Sequence, residues 1–148
     1  MDTEPRSTSP VVIAFVCLHG SAKSLIAAEY LNRAAAERGL PIRATAAGLQ
    51  PDPAIPSHVV RGLAEHGFDV AHRVPLAASD ANLATAHRII AFGCELPGAA
   101  LSARPVEQWG DCPAVSEGFE PAWCYITARI DRILEATPGT PSTQEQFA

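Results

Sequence analysis

The sequence predicts an α/β fold: a three-layer, open, mainly parallel four-stranded sheet with helices on both faces. Residues 11–16 form a continuous apolar run rich in β-branched side chains, which is typical of a strand buried on both faces. Residues 22–38 then follow the helical period, and Gly39 is a suitable stop. A buried strand followed at once by a helix is the first unit of a doubly wound sheet.

The rest of the chain alternates between the same two kinds of element. Predicted strands cover 42–47, 88–92 and 106–109, and predicted helices cover 57–66 and 78–86. These elements form one domain at 10–136, and the polar stretches at 1–9 and 137–148 are predicted to be disordered tails. A final helix is indicated by the 3.6-residue spacing of Trp123, Ile126, Ile130, Ile133 and Leu134.

Composition and charge narrow the class of protein. A chain of 148 residues suits one domain, and a net charge of −5 with no basic cluster argues against a nucleic-acid partner. The acidic N-terminus is unlike a signal peptide, and the apolar run at 11–18 is too short to cross a membrane, so we expect a cytoplasmic protein. No metal site is predicted, because zinc-type spacing is absent from the cysteines Cys17, Cys94, Cys112 and Cys124.

The segment between the first strand and the first helix carries the chemistry. A loop in this place directs backbone N–H groups and the positive helix end at a bound anion. Cys17 at its mouth is expected to be a thiolate and a nucleophile, with Lys23 adding positive charge and Ser24 donating a hydrogen bond. His19 either contacts the anion or is solvated. The predicted oxyanion-binding residues are Leu18, His19, Gly20, Ser21, Ala22, Lys23 and Ser24.

Several segments, in order along the chain, resemble one family. Residues 17–24 resemble the C-x-x-N-x-x-R-S loop of low-molecular-weight protein tyrosine phosphatases and thioredoxin-type arsenate reductases. Residues 46–48 resemble the family's S-A-G segment, and residues 65–73 resemble its E-x-G-I-D-L-S-x-H-R stretch. Residues 89–94 are similar to the strand before a redox cysteine of arsenate reductases, and 109–113 are similar to the W-x-x-D-P segment of the general acid. The resemblance implies the phosphotyrosine protein phosphatase fold.

Three positions depart from the family pattern. The family arginine is Lys23 here, which offers a compact charge in place of a planar fork for the oxyanion. The family asparagine is Gly20, and the serine of S-A-G is Ala46. Either the loop has rebuilt its support, with Gly20 reaching the backbone conformation required there, or it is looser than in the family.

The general-acid position of the pattern has two candidates. Alignment on Pro113 puts Cys112 at the acid position, and Asp111 lies one residue earlier. A carboxylic acid protonates a leaving oxygen at neutral pH better than a thiol does. We therefore predict Asp111 as the general acid, with Cys112 as the alternative.

Three functions follow from the resemblance. The first is a phosphatase that attacks an aryl phosphate, such as a phosphorylated protein, with Cys17 and needs no cofactor. The second is an arsenate reductase acting on a small oxyanion, in which Cys94 and Cys112 carry the redox chemistry and a thioredoxin-like or other thiol reductant is the partner. The third is a member that binds an oxyanion or a partner without turnover.

Overall fold

The computed structural model describes residues 10–79, 83–94 and 106–138. Within these ranges the strands are β1 (Val11–Cys17), β2 (Ile42–Gly48), β3 (Arg88–Ala91) and β4 (Val106–Gln108). The helices are α1 (Lys23–Arg38), α2 (Ser57–Glu65) and α3 (Phe119–Ala136), with a 3₁₀ turn at Val115–Glu117. The strands form one parallel sheet in the order β2-β1-β3-β4. The predicted α/β fold with a four-stranded sheet is confirmed.

Strand β1 lies inside the sheet and is buried on both faces, as its unbroken apolar run predicts. Ile13 and Phe15 belong to the larger core, which also includes side chains of α1, α2 and α3. Ala14 and Val16 face the opposite side, where Leu83 packs with them in a smaller core. This arrangement fixes Cys17 at the carboxyl end of an inner strand.

Helix α1 ends where the sequence predicts. Gly39 adopts φ +66°, and the N–H of Leu40 donates to the carbonyl of Ala35 at 2.9 Å, which closes the last turn. The helix begins at Lys23 because Ala22 has a non-helical backbone. The five residues between Cys17 and Lys23 are therefore free to form a loop.

Several predicted boundaries shift by one residue. Strands β1 and β2 each extend one residue further, to Cys17 and Gly48. Within the predicted helix at 78–86, residues 80–82 lie outside the described ranges, as do the tail segments 1–9 and 139–148. Ala77, just before that helix, forms a parallel bridge with Gly48. Residues 76–78 are thereby held beside the end of β2.

Candidate active site

The loop after β1 is held by the segment that follows β2. The N–H groups of Leu49, Gln50 and Asp52 donate to the carbonyls of Cys17, Leu18 and His19 at 3.1, 2.7 and 3.2 Å. Neighbouring parallel strands thus continue to interact beyond their last sheet residues. The resulting pairing places residues 49–52 along one side of the loop.

Two glycines make the closest approach between these segments. A Cβ on Gly20 would lie 2.6 Å from the backbone nitrogen of Gly48, and a Cβ on Gly48 would lie 2.4 Å from the nitrogen of Gly20. Gly20 also has φ +66°, a conformation that L side chains rarely adopt. The backbone packing of Gly20 against Gly48 supports the loop in this chain, which lacks the family's asparagine and serine at positions 20 and 46.

Cys17 lies at the bottom of the loop, and its side chain is buried. The N–H of Gly20 donates to Sγ at 3.1 Å, and the fully buried Ser24 places Oγ 3.1 Å from the same sulfur. When the sulfur is ionised, the hydroxyl of Ser24 must be the donor. Both contacts stabilise negative charge on Sγ and fix its direction.

Lys23, the first residue of α1, connects the loop to the segment after β4. Its Nζ donates to the carbonyl oxygen of Cys112 at 3.3 Å. The side chain also lines the pocket above Cys17. A cation is therefore present beside the position that an anion in the loop would occupy.

Asp52 is a site residue that the sequence did not reveal. Its Oδ2 accepts a hydrogen bond from Ser21 Oγ at 2.8 Å, and its Oδ1 lies 3.4 Å from Nδ1 of His19. Nδ1 of His19 is also 3.1 Å from the carbonyl oxygen of Gln50. Residues 51–53 had the composition of a turn, so the only available signal was their place after the carboxyl end of a neighbouring parallel strand.

A pocket of about 290 Å³ opens over the loop. Its floor and near wall come from the loop itself, including Cys17, His19 and Lys23. The rest of the wall combines polar and apolar groups from other parts of the chain: Asp52, His58, Phe92 and Val115. This volume accommodates an oxyanion together with part of the group that carries it.

Asp111 lies outside this wall. Its side chain is 77% exposed, its carboxylate accepts a hydrogen bond from the hydroxyl of Tyr125, and Arg129 is 3.8 Å away. The Tyr125 hydrogen bond is the main cause that lowers the pKa of Asp111. Both partners belong to α3, so this helix holds the carboxylate on the outer side of the segment.

Cys94 and Cys112 both favour the neutral thiol. Burial raises the pKa of Cys112 to about 11. Burial also raises the pKa of Cys94, with a smaller contribution from the charge of Cys17. All four cysteines are free, and Cys124 is exposed on α3.

The described ranges contain no cluster of three His, Cys, Asp or Glu side chains suited to a metal ion. Within the same ranges, no helix is long and apolar enough to cross a membrane.

The fold and loop together define an α/β protein with a cysteine-bearing loop at the carboxyl end of an inner strand. The family model described as low molecular weight phosphotyrosine protein phosphatase matches residues 12–105, well over half of the chain. The chain belongs to this family. No curated protein sequence matches it significantly.

Solved structures include both activities suggested by the resemblance. The low molecular weight protein tyrosine phosphatase of T. tengcongensis has TM-score 0.72 and 18% identity, covering 84% of this chain and 98% of that one. The thioredoxin-dependent arsenate reductase of Corynebacterium glutamicum has TM-score 0.70 and 22% identity, covering 88% and 64%. The arsenate reductase of Archaeoglobus fulgidus has TM-score 0.64 and 21% identity, covering 83% and 98%. These similarities establish the fold. They do not distinguish phosphatase activity from arsenate reductase activity.

Proposed function

We propose that this protein is a cysteine-dependent phosphatase that hydrolyses an aryl phosphate, such as phosphotyrosine in a protein. The observation that carries the proposal is the environment of Cys17. Its Sγ accepts the Gly20 N–H and contacts the Ser24 hydroxyl at the floor of a pocket of phosphate-ester size. Membership of the phosphatase family supports the same reaction. A free nucleophilic thiol requires a reducing compartment, so we propose that the protein acts in the cytoplasm.

In this reaction Cys17 attacks phosphorus and forms a thiophosphate as the phosphorus–oxygen bond to the aryl group breaks. The loop N–H groups and Lys23 stabilise the equatorial oxygens, on which negative charge is spread. Water then attacks phosphorus and displaces the thiolate. The residues of this chain supply all of these steps without a cofactor.

The test of the nucleophile compares wild type with Cys17→Ser and with Cys124→Ser as an exposed-cysteine control. Cys17→Ser should lower phosphate release from p-nitrophenyl phosphate by at least about 10³-fold, whereas Cys124→Ser should leave it unchanged. Mass spectrometry after acid quenching should find a phosphoryl group on the wild-type peptide that contains Cys17. Turnover that survives Cys17→Ser contradicts the mechanism. Phosphate binding without hydrolysis of any aryl phosphate would favour the non-catalytic hypothesis.

A second candidate function is arsenate reduction, which is favoured by the position of Cys94: its Sγ donates to the carbonyl of Val16, the residue before Cys17, at 3.8 Å. Cys17 would displace a hydroxide from arsenate to form a sulfur–arsenic bond. Cys94 would then attack the sulfur of Cys17, which releases arsenite and leaves a disulfide that a thioredoxin-like dithiol reduces. A Cys17–Cys94 disulfide after arsenate turnover would support this function, and unchanged thiols in an active sample would exclude it.

A further inference from the structure

The proton that the leaving oxygen needs has no obvious donor at the predicted position. Asp111 is held by Tyr125 and Arg129 on the outside of its segment, and Cys112 has a pKa of about 11. The pocket wall, by contrast, contains three groups of suitable chemistry: the imidazoles of His19 and His58 and the carboxylate of Asp52. Of these, His19 and Asp52 interact with each other.

The contacts of His19 distinguish its two ring nitrogens. Within the part of the chain that the structure describes, the two polar partners of the His19 ring both face Nδ1: the Gln50 carbonyl at 3.1 Å and the Asp52 carboxylate at 3.4 Å. A carbonyl oxygen can only accept, so the proton of the neutral ring lies on Nδ1. The other nitrogen, Nε2, is then the atom that gains and loses a proton.

Asp52 is itself fixed in place. Ser21 Oγ donates to its Oδ2 at 2.8 Å, and its backbone N–H donates to the carbonyl of His19 at 3.2 Å. One carboxylate oxygen therefore holds the loop and the other faces the imidazole. A carboxylate that orients a histidine through one nitrogen is a common arrangement in acid–base catalysis.

We propose that His19 is the general acid and base of this site and that Asp52 is its positioning residue. The inference rests on the proposed phosphatase function. As Cys17 forms the sulfur–phosphorus bond, protonated His19 gives its Nε2 proton to the departing aryl oxygen, and the neutral phenol leaves. Neutral His19 then takes a proton from the water that attacks phosphorus, which releases phosphate and restores the thiolate and the protonated imidazole.

The test is the dependence of kcat/KM on the leaving group, because kcat/KM reports the steps up to thiophosphate formation. p-Nitrophenolate leaves without much help, whereas the phenolate of phenyl phosphate has a conjugate acid of pKa about 10 and needs a proton. The variant His19→Asn keeps a donor near the Nδ1 position and removes Nε2. It should lower kcat/KM for phenyl phosphate by about 10²–10³-fold and for p-nitrophenyl phosphate by less than about tenfold. His72→Asn, an exposed histidine outside the pocket, is the matched control and should change neither value.

Asp52→Asn tests the positioning role. It should reproduce the selective loss on phenyl phosphate at a smaller scale of about tenfold, with KM for p-nitrophenyl phosphate close to the wild-type value. A merely structural role would lower both rates together. An equal loss on both substrates would therefore overturn the assignment of Asp52.

The assignment of His19 has its own decisive outcomes. It is overturned if His19→Asn lowers kcat/KM equally for both substrates or leaves both unchanged, or if Asp111→Asn or His58→Asn produces the selective loss on phenyl phosphate instead. His19→Gln is the second variant should His19→Asn fail to fold. Failure of the proposed phosphatase function gives a different result: wild type would have no turnover, or Cys17→Ser would retain it. The assignment of His19 would then be wrong as well.

Discussion

In the proposed phosphatase, residue 23 sets how many charged hydrogen bonds the loop can offer an oxyanion. Lys23 is bound to the carbonyl of Cys112, so its single ammonium group is shared between that carbonyl and any anion in the pocket. An arginine offers five donors in a planar fork and can serve both partners at once. In the proposed reaction, the lysine would therefore supply charge but fewer hydrogen bonds to the phosphate than an arginine.

We expect Lys23→Arg to raise kcat/KM on an aryl phosphate by about tenfold, since one charged hydrogen bond contributes about 1.5–3 kcal/mol. Lys23→Gln, which keeps a donor and removes the charge, should lower it by about ten- to a hundredfold. Steady-state rates of the two variants on one substrate measure both effects. A loss of activity in Lys23→Arg would mean that the pocket is shaped around lysine.

Cys112 allows a prediction about pH. Burial raises the pKa of its thiol from the ordinary 9.0 to about 11, so the reactive thiolate is about a hundredfold rarer at pH 8 than in an ordinary cysteine. Alkylation by iodoacetamide should therefore be slow at pH 8 and should accelerate about tenfold per pH unit up to about pH 10. Peptide mass spectrometry can follow the modification, with exposed Cys124 as the internal reference. Equal labelling of the two cysteines at pH 8 would contradict the assigned burial.

At the scale of elements, the loop after β1 depends on the contact between its backbone at Gly20 and the end of β2 at Gly48. Gly20 and Gly39 share φ +66°. A Cβ added to Gly20 would lie 2.6 Å from the Gly48 backbone, whereas a Cβ added to Gly39 would have no neighbour within 4 Å. Comparing alanine substitutions at these two positions therefore separates the destabilisation due to the left-handed conformation from the destabilisation due to the steric clash.

We expect Gly39→Ala to lower the free energy of unfolding by about 1–2 kcal/mol through its backbone conformation alone. Gly20→Ala should lower it by a further 1–3 kcal/mol or so, because the Gly48 backbone must move. Denaturant unfolding of both variants gives the comparison. Equal destabilisation by the two alanine substitutions would show that the loop can move away from the end of β2 without cost.

For the same steric reason, Gly20→Asn combined with Ala46→Ser should not restore a family-like loop.

The elements that the sequence predicted well are those with a strong local pattern. The β1 run, the α1 period and the stop at Gly39 depend on neighbouring residues alone, so Cys17 and its loop could be located. The contacts of Asp52 could not, because they depend on how residues 49–52 pair with the loop. The orientation of Asp111 could not be predicted either, because its partners Tyr125 and Arg129 lie more than ten residues away on α3.

At the scale of the whole molecule, the pocket is assembled from separate parts of the chain. The loop after β1 supplies Cys17, the segment after β2 supplies Asp52, and residues after β3 and β4 supply Phe92 and Val115. The Lys23 contact with the Cys112 carbonyl joins the first of these parts to the last. A ligand in the pocket therefore contacts several elements that separate on unfolding, and its binding should stabilise the native state.

Inorganic phosphate is the simplest probe of this coupling. At a concentration of 100 Kd, a ligand that binds only the native state adds about 2.7 kcal/mol, which for a chain of this size raises Tm by roughly 5–10 °C. We expect a saturable rise in wild type and in Cys17→Ser, because binding does not require the nucleophile, and a much smaller rise in Lys23→Gln. Sodium chloride at matched ionic strength is the control for general salt effects. If chloride raises Tm as much as phosphate does, or if Lys23→Gln responds like wild type, the loop does not hold an oxyanion through Lys23.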